Sequence, residues 1–158
     1  MNMNAFEYIT ISQSFIMYPA VFSGGSFVVP FNVDHGEQLF CTIDTGAPGP
    51  ICLGKNAIHK IKNCRVRQKK SLIQNGVNGE RICSEIIEID VTFAGSIYSV
   101  PVFVNNLSTE QVDGYVGLAF LRAFDILITN TEIGFKKNKN KLKNLFDFES
   151  VAANGGCD

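Results

Sequence analysis

Leu39-Phe40-Cys41-Thr42-Ile43-Asp44-Thr45-Gly46-Ala47-Pro48-Gly49-Pro50 is the stretch that decides how this sequence is interpreted. Its first five residues are mostly apolar, which is typical of a strand that borders a core. The strand pattern ends at Asp44, and Pro48 and Gly49 predict a turn close behind it. Asp, Thr and Gly are also ordinary turn residues, so the stretch has a plain interpretation as a strand-ending turn. Its meaning therefore depends on the rest of the chain.

The composition predicts one folded domain. The chain has 158 residues, of which 46% are hydrophobic, and its 13 Phe and 4 Tyr favour strands. The formal net charge is -1, which gives no reason to expect a nucleic-acid partner. No apolar run is long enough to span a membrane, and residues 1–22 lack the basic start of a signal peptide. We therefore expect a cytoplasmic protein without a membrane partner.

The cysteines and histidines do not form a recognisable site. The five cysteines are odd in number and contain no Cys-x-x-Cys pair, which predicts reduced thiols in a reducing compartment. His35 lies in a predicted turn and His59 in a short helix-like stretch, and the two are far apart in sequence. We expect both histidines at the surface, and we expect neither a metal ion nor another cofactor.

Alternating apolar residues predict several strands. Ser26–Val33 and residues 37–43 form a predicted hairpin around the turn Asp34-His35-Gly36. A short strand at Ile51–Leu53 and a short helix at residues 55–62 follow. Later strands are predicted at residues 87–93, 98–104, 125–129 and 132–135, with a very short one at residues 115–116 and helical turns at residues 118–124. Pro101 predicts that its strand is bulged or lies at a sheet edge.

Residues 71–82 predict a tight hairpin. Asn75-Gly76 and Asn78-Gly79 supply the positive φ angles that a hairpin tip needs, and apolar residues flank them. By composition the chain divides into residues 1–22, an N-terminal extension or edge strand, residues 23–136, the main domain, and residues 137–158, a Lys/Asn-rich tail. For this tail a solvated end is favoured over a binding segment.

A second motif gives the first its meaning. The second motif is Asp113-Gly114-Tyr115-Val116-Gly117-Leu118-Ala119-Phe120-Leu121, which follows Asp44-Thr45-Gly46-Ala47 later in the chain. The two motifs have the order and spacing found in retropepsin-like aspartic proteases, which the chain resembles over residues 27–135. The resemblance implies an all-β fold with one or two short helices, a closed β-barrel with one lobe per chain. Pro48, Tyr115 and Leu118 depart from the residues that are usual in this family.

The resemblance also implies roles for individual residues. Asp44 would be the catalytic acid and base, Thr45 would donate across a dimer axis, and Gly46 would leave room and an N–H beside the carboxylates. Val116 and Gly117 would cross under this loop. The residues implied to contact substrate are Ala47 and the hairpin tip, or flap, formed by Asn75, Gly76, Val77, Asn78 and Gly79.

The chemistry of amide hydrolysis fits this assignment. Of two carboxylates that share one proton, the ionised one takes a proton from water and the protonated one polarises the carbonyl. The chain has a single Asp-Thr-Gly, so a working site requires a homodimer that binds an extended peptide or protein substrate. The alternative function is a non-catalytic module that dimerises and binds peptides in the same groove.

Overall fold

The hairpin around Asp34-His35-Gly36 begins the main sheet. The computed structural model describes residues 14–23, 25–47, 49–75, 81–105, 108–109, 111–138 and 147–153. Its strands are β1 (Ile16–Pro19), β2 (Phe22–Ser23), β3 (Ser26–Val33), β4 (Gln38–Ile43), β5 (Ile51–Leu53), β6 (Val66–Asn75), β7 (Arg81–Phe93), β8 (Ser96–Val104), β9 (Gly114–Val116), β10 (Phe124–Ile128) and β11 (Glu132–Lys137). Its helices are α1 (Ile58–Ile61), which follows a 3-10 turn at Lys55–Ala57, α2 (Leu118–Leu121) and α3 (Phe148–Ala153).

Six strands close into a barrel in the order β3-β4-β9-β5-β8-β7. The closure is made by β7 pairing antiparallel with β3, where Val91 lies opposite Val33. β2 pairs with β3 outside the ring, and β6 pairs with β7. A separate three-stranded sheet has the order β1-β11-β10. The predicted all-β closed barrel with short helices is therefore confirmed.

Aromatic side chains fill the interior of the barrel. Phe93 lies at the centre, with ring centroids 4.6 Å from Phe31, 4.8 Å from Phe135 and 5.5 Å from Phe120. All four rings are buried, and most of the pairs meet edge to face, which adds to the free energy of burial. The Tyr18 hydroxyl accepts a hydrogen bond from the Ala94 N–H at 2.8 Å and ties β1 to the same cluster. One core thus supports both sheets.

The prediction that the strand of Pro101 is bulged or lies at a sheet edge is wrong. β8 lies between β5 and β7, and its pairing with β7 runs without a register shift past Pro101, which lies opposite Glu88. The proline is tolerated because β5 pairs only with Val102–Val104. At Pro101 itself β8 therefore has a hydrogen-bonding neighbour strand on the β7 side only, so a missing N–H is less costly there.

The tail includes a helix that the sequence analysis did not predict. α3 buries Phe148 and Ala152 against the outside of the barrel wall. Asp147 precedes it and accepts a hydrogen bond from the Ser150 N–H at 3.0 Å, as an N-cap does. No helix among the described residues is long and apolar enough to cross a membrane.

Candidate active site

Asp44 stands at the end of β4 on a tight turn. Its side chain is exposed, and its Oδ1 accepts a hydrogen bond from the Gly46 N–H at 2.9 Å. The Ala47 N–H donates to the Asp44 carbonyl oxygen at 3.2 Å. An aspartate that binds the backbone two residues ahead stabilises a turn without any other partner. The carboxylate is therefore held in a defined orientation at the surface.

β9 supports this turn from below. It lies between β4 and β5, parallel to β4 and antiparallel to β5. The Asp44 N–H donates to the Val116 carbonyl at 2.9 Å, and the Leu118 N–H donates to the Ala47 carbonyl at 2.8 Å. The Gly117 N–H donates to the Pro50 carbonyl at 2.9 Å. The predicted crossing of Val116 and Gly117 under the Asp44 loop is present, and it fixes the loop at both ends.

Gly117 permits the close approach of the two segments. A Cβ at this position would lie 1.9 Å from the Gly49 carbonyl oxygen and 2.6 Å from that of Ala47. Its φ of -94° is accessible to any residue, so the requirement for glycine is one of space and not of backbone conformation. The neighbours are backbone atoms, which cannot rotate away as a side chain can.

A partly buried ion pair anchors the other end of β9. Asp113 has a side chain that is only 7% exposed, and it accepts hydrogen bonds from Lys60 Nζ at 2.9 Å and from the Phe40 N–H at 2.8 Å. The Lys60 ammonium also lies 5.5 Å from the centre of the Phe40 ring. Sequence reasoning gave Asp113 no role beyond its place in the motif. The available signal was an acidic residue directly before a short apolar strand, but nothing local pointed to Lys60.

An apolar pocket lies beside the Asp44 loop. It has a volume of about 240 Å³ and is lined by Phe27, Ile43, Thr45, Leu118, Leu121, Arg122, Ile126, Ile128 and Ile133. Thr45 is exposed at this pocket, next to the candidate catalytic carboxylate. Leu118, Ile126 and Ile128 are exposed although they are large and hydrophobic, and Ile128 is 60% exposed. Exposed apolar surface of this kind is typical of an interaction site.

The cysteines near the loop do not offer a reactive thiolate. Cys41 is completely buried, and this burial raises the pKa of its thiol. The nearby Asp113 charge raises the pKa further, by a smaller amount. Cys52 is buried and disulfide-bonded, so the prediction that all five cysteines are reduced is wrong for this residue. His35 and His59 are exposed, as predicted. The described parts of the chain contain no group of three or more potential metal ligands.

The predicted substrate-binding residues are only partly described. Ala47 is buried beneath the loop, where its N–H and carbonyl both form hydrogen bonds. Asn75 ends β6 and pairs with Arg81, so a hairpin joins β6 and β7 as predicted. Gly76, Val77, Asn78 and Gly79 lie outside the described residues.

Comparison with known proteins gives a family match and distant structural similarities. The family model for the cauliflower mosaic virus peptidase (A3) matches residues 31–151. No curated protein matches the chain at a significant level. A retropepsin-like aspartic protease from Rickettsia conorii is 18% identical, with a TM-score of 0.49, and the match covers 77% of this chain and 95% of that one.

Two further structures are similar at the same low level. They are the EIAV protease complexed with the inhibitor HBY-793, at 15% identity and a TM-score of 0.47 over 65% of this chain and 92% of that one, and the retroviral protease-like domain of Ddi1 from Leishmania major, at 18% identity and a TM-score of 0.44 over 73% of this chain and 97% of that one. The assignment therefore depends on the family match, which contains both motifs and most of the barrel. The predicted resemblance to retropepsin-like aspartic proteases is confirmed, and the chain belongs to the cauliflower mosaic virus peptidase (A3) family.

Proposed function

We propose that this protein is an aspartic endopeptidase whose active site is formed by two copies of the chain. The observation that carries the proposal is the exposed Asp44 carboxylate, held by the Gly46 N–H on a loop that β9 supports at both ends. A purely structural turn does not require a carboxylate to face solvent beside an apolar surface. One chain supplies one such aspartate, and hydrolysis by this chemistry requires two.

The mechanism follows from placing two Asp44 side chains on either side of a two-fold axis. Two carboxylates that face each other closely across the axis cannot both ionise, so the pair keeps one proton. The ionised group removes a proton from water, and the protonated group donates a hydrogen bond to the carbonyl oxygen of the substrate. Gly46 would leave room for this contact because it has no side chain. The Thr45 hydroxyl would donate across the axis and hold the two loops together.

The proposal assigns the substrate to an extended groove beside the Asp44 loop. Ala47 and the hairpin tip formed by Asn75, Gly76, Val77, Asn78 and Gly79 would contact the peptide backbone. This assignment rests on the family resemblance and on the presence of the β6–β7 hairpin.

The alternative is a non-catalytic module that dimerises and binds peptides without cutting them. Incubation of the purified protein with a mixture of peptides, followed by mass spectrometry, separates the two functions. Cleavage that disappears in Asp44→Asn supports the endopeptidase. Peptide binding without cleavage at any pH supports the module.

The apolar pocket supports the dimer, and the expected interface can be tested there. Ile128→Lys is expected to convert the protein to a monomer, because a charge buried in a dimer interface would lose its hydration. Ile97→Lys is the matched control, since Ile97 is 73% exposed and does not line the pocket. Sedimentation velocity at micromolar concentration would compare both variants with the wild type. A wild type that is monomeric yet cleaves peptides would contradict the shared site.

The pH dependence of cleavage is expected to be bell-shaped with an optimum on the acid side of neutrality. Activity requires one proton on the pair of Asp44 side chains, so it falls both when the pair loses this proton and when it gains a second. Rates measured from acid to alkaline pH with one peptide would test this. A steady rise towards alkaline pH would point to a thiolate instead, which the burial and raised pKa of Cys41 argue against.

Two other sequence-based predictions stay predictions. The division into residues 1–22, 23–136 and 137–158 awaits limited proteolysis. The cytoplasmic location was predicted partly from reduced cysteines, and the disulfide at Cys52 removes that part of the argument. Cell fractionation would test the location. We retain the expectation that the protein acts without nucleic acid, membrane, metal ion or other cofactor.

A further inference from the structure

A second apolar cluster lies outside the barrel core. Its buried members are Cys52, Ile86, Phe103, Phe148 and Ala152, and Leu72 and Val151 pack against it. Alternate residues of a strand face opposite sides of a sheet. Ile51 and Leu53 belong to the barrel core, so Cys52 between them faces outward, towards α3. The helix therefore covers the outer surface of the barrel wall.

The cluster follows one row across the sheet. Cys52 on β5 lies opposite Phe103 on β8, and Phe103 lies opposite Ile86 on β7. On β6, Leu72 packs against the cluster from the neighbouring row, since it lies opposite Ser84 and Lys70 lies opposite Ile86. One apolar cluster thus joins α3, the barrel wall and both strands of the β6–β7 hairpin.

The β6–β7 hairpin extends beyond the barrel from the point where this apolar cluster lies. The pairing of β7 with β8 ends at Glu85, which lies opposite Val104. Beyond it, among the residues that the structure describes, residues 81–84 of β7 pair only with Leu72–Asn75 of β6. These eight residues form a two-stranded projecting ribbon, and a two-stranded ribbon alone is marginally stable in water. Leu72, at the base of the projecting ribbon, packs on the cluster that α3 completes.

We propose that α3 is a strap that positions the projecting ribbon through Phe148 and Val151. The helix has only six residues, so its own stability depends on docking, and docking brings Phe148 and Val151 to the cluster that holds the base of the ribbon. The position of the ribbon is then coupled to the C-terminal part of the chain. If the proposed function holds, the ribbon carries the substrate-contacting tip, and α3 is a positioning element for substrate.

Hydrogen exchange measured by mass spectrometry tests the strap in the absence of substrate. Phe148→Ala is expected to accelerate exchange at residues 72–75 and 81–84 by about tenfold or more, while β3 and β4 change by less than about threefold. Glu149→Ala is the matched control on the same helix, because Glu149 is exposed. Phe148→Leu, which keeps an apolar side chain, is expected to restore most of the protection. Reductant is omitted so that the Cys52 disulfide stays intact in every sample.

Two results would overturn the proposal. Exchange that accelerates to the same extent throughout the barrel would give α3 only a general stabilising role. Exchange of the ribbon that stays unchanged would remove the coupling altogether. If Phe148→Ala does not fold, the same exchange measurement is made on Val151→Ala, which is a smaller change in the same cluster. The same criteria then apply. Because this measurement needs no catalytic activity, its failure and the failure of the proposed function are separate results.

Discussion

Asp44→Asn is expected to lower peptide cleavage by about 10⁴-fold or more, because in the proposed site it removes the only group that can accept the proton of the attacking water. The substitution keeps the shape of the side chain, and the amide oxygen can still accept the hydrogen bond from the Gly46 N–H. Thermal stability and dimerisation should therefore persist. Initial rates at several substrate concentrations, together with sedimentation, would measure both effects on the same preparation.

Asp34→Asn is the control for this experiment. Asp34 is an exposed aspartate in the β3–β4 turn, where its Oδ1 lies 3.8 Å from His35 Nε2. Its replacement should leave the cleavage rate within about twofold of the wild type, as for most surface substitutions away from a site. Cleavage by Asp44→Asn within about tenfold of the wild type, which is ~1.4 kcal/mol of barrier, would remove Asp44 from the chemistry.

Gly117→Ala is expected to cause a large loss of stability. The added Cβ would lie 1.9 Å from the Gly49 carbonyl oxygen, so β9 and the Asp44 loop would have to separate. Overpacking against backbone should cost about 3 kcal/mol or more. In a chain of this size each kcal/mol lowers the melting temperature by about 2–4 °C, so a decrease of roughly 6–12 °C is expected. Calorimetry or thermal unfolding followed by circular dichroism would measure it.

Gly134→Ala provides the comparison for that loss. Its Cβ would meet the Met17 Sδ at 2.3 Å, which is also far inside van der Waals contact, but a thioether at the end of a flexible side chain can move away. The decrease in melting temperature should therefore be clearly smaller than for Gly117→Ala. Equal decreases for the two variants would show that the crossing of β9 under the loop does not constrain residue size as the structure indicates.

The barrel was predictable because its strands carry regular patterns. Residues 87–93 alternate between apolar and polar side chains, and this part of β7 has one face in the core. The turns at residues 34–36 and 94–96 use His35 and Ala94 at φ values of 58° and 48°, next to Gly36 and Gly95. Local signals of this kind need no knowledge of the tertiary structure.

β6 was predicted only in part because its first half has no such pattern. Residues 66–70 are exposed and mostly charged, and they form a strand because β7 supplies partners. Arg67 makes two hydrogen bonds to Asp90 at 2.8 and 2.9 Å, and Lys69 lies 3.1 Å from Glu85. Charged side chains on an edge strand also oppose aggregation. The basic run is thus matched by acidic residues across the ladder, which the linear sequence does not reveal.

The site was predictable only where its residues are close in sequence. The Asp44 loop and the β9 segment each carry a local motif, and the resemblance joined them. The Asp113–Lys60 ion pair and the docking of α3 were missed, because each joins segments that are far apart in sequence. Long-range contacts of this kind follow from the closed barrel and not from any local pattern.

The most direct test of the central claim, that two chains share one active site, is a mixing experiment. Wild-type protein at a fixed concentration is unfolded and refolded with increasing amounts of Asp44→Asn, and peptide cleavage is measured. If pairing is random, activity should fall to about half at equal amounts and approach zero with excess variant, because mixed dimers contain one Asp44. Asp44→Asn combined with Ile128→Lys is the control, and it should have no effect. Activity that stays constant at every ratio of Asp44→Asn to wild type would contradict the shared site.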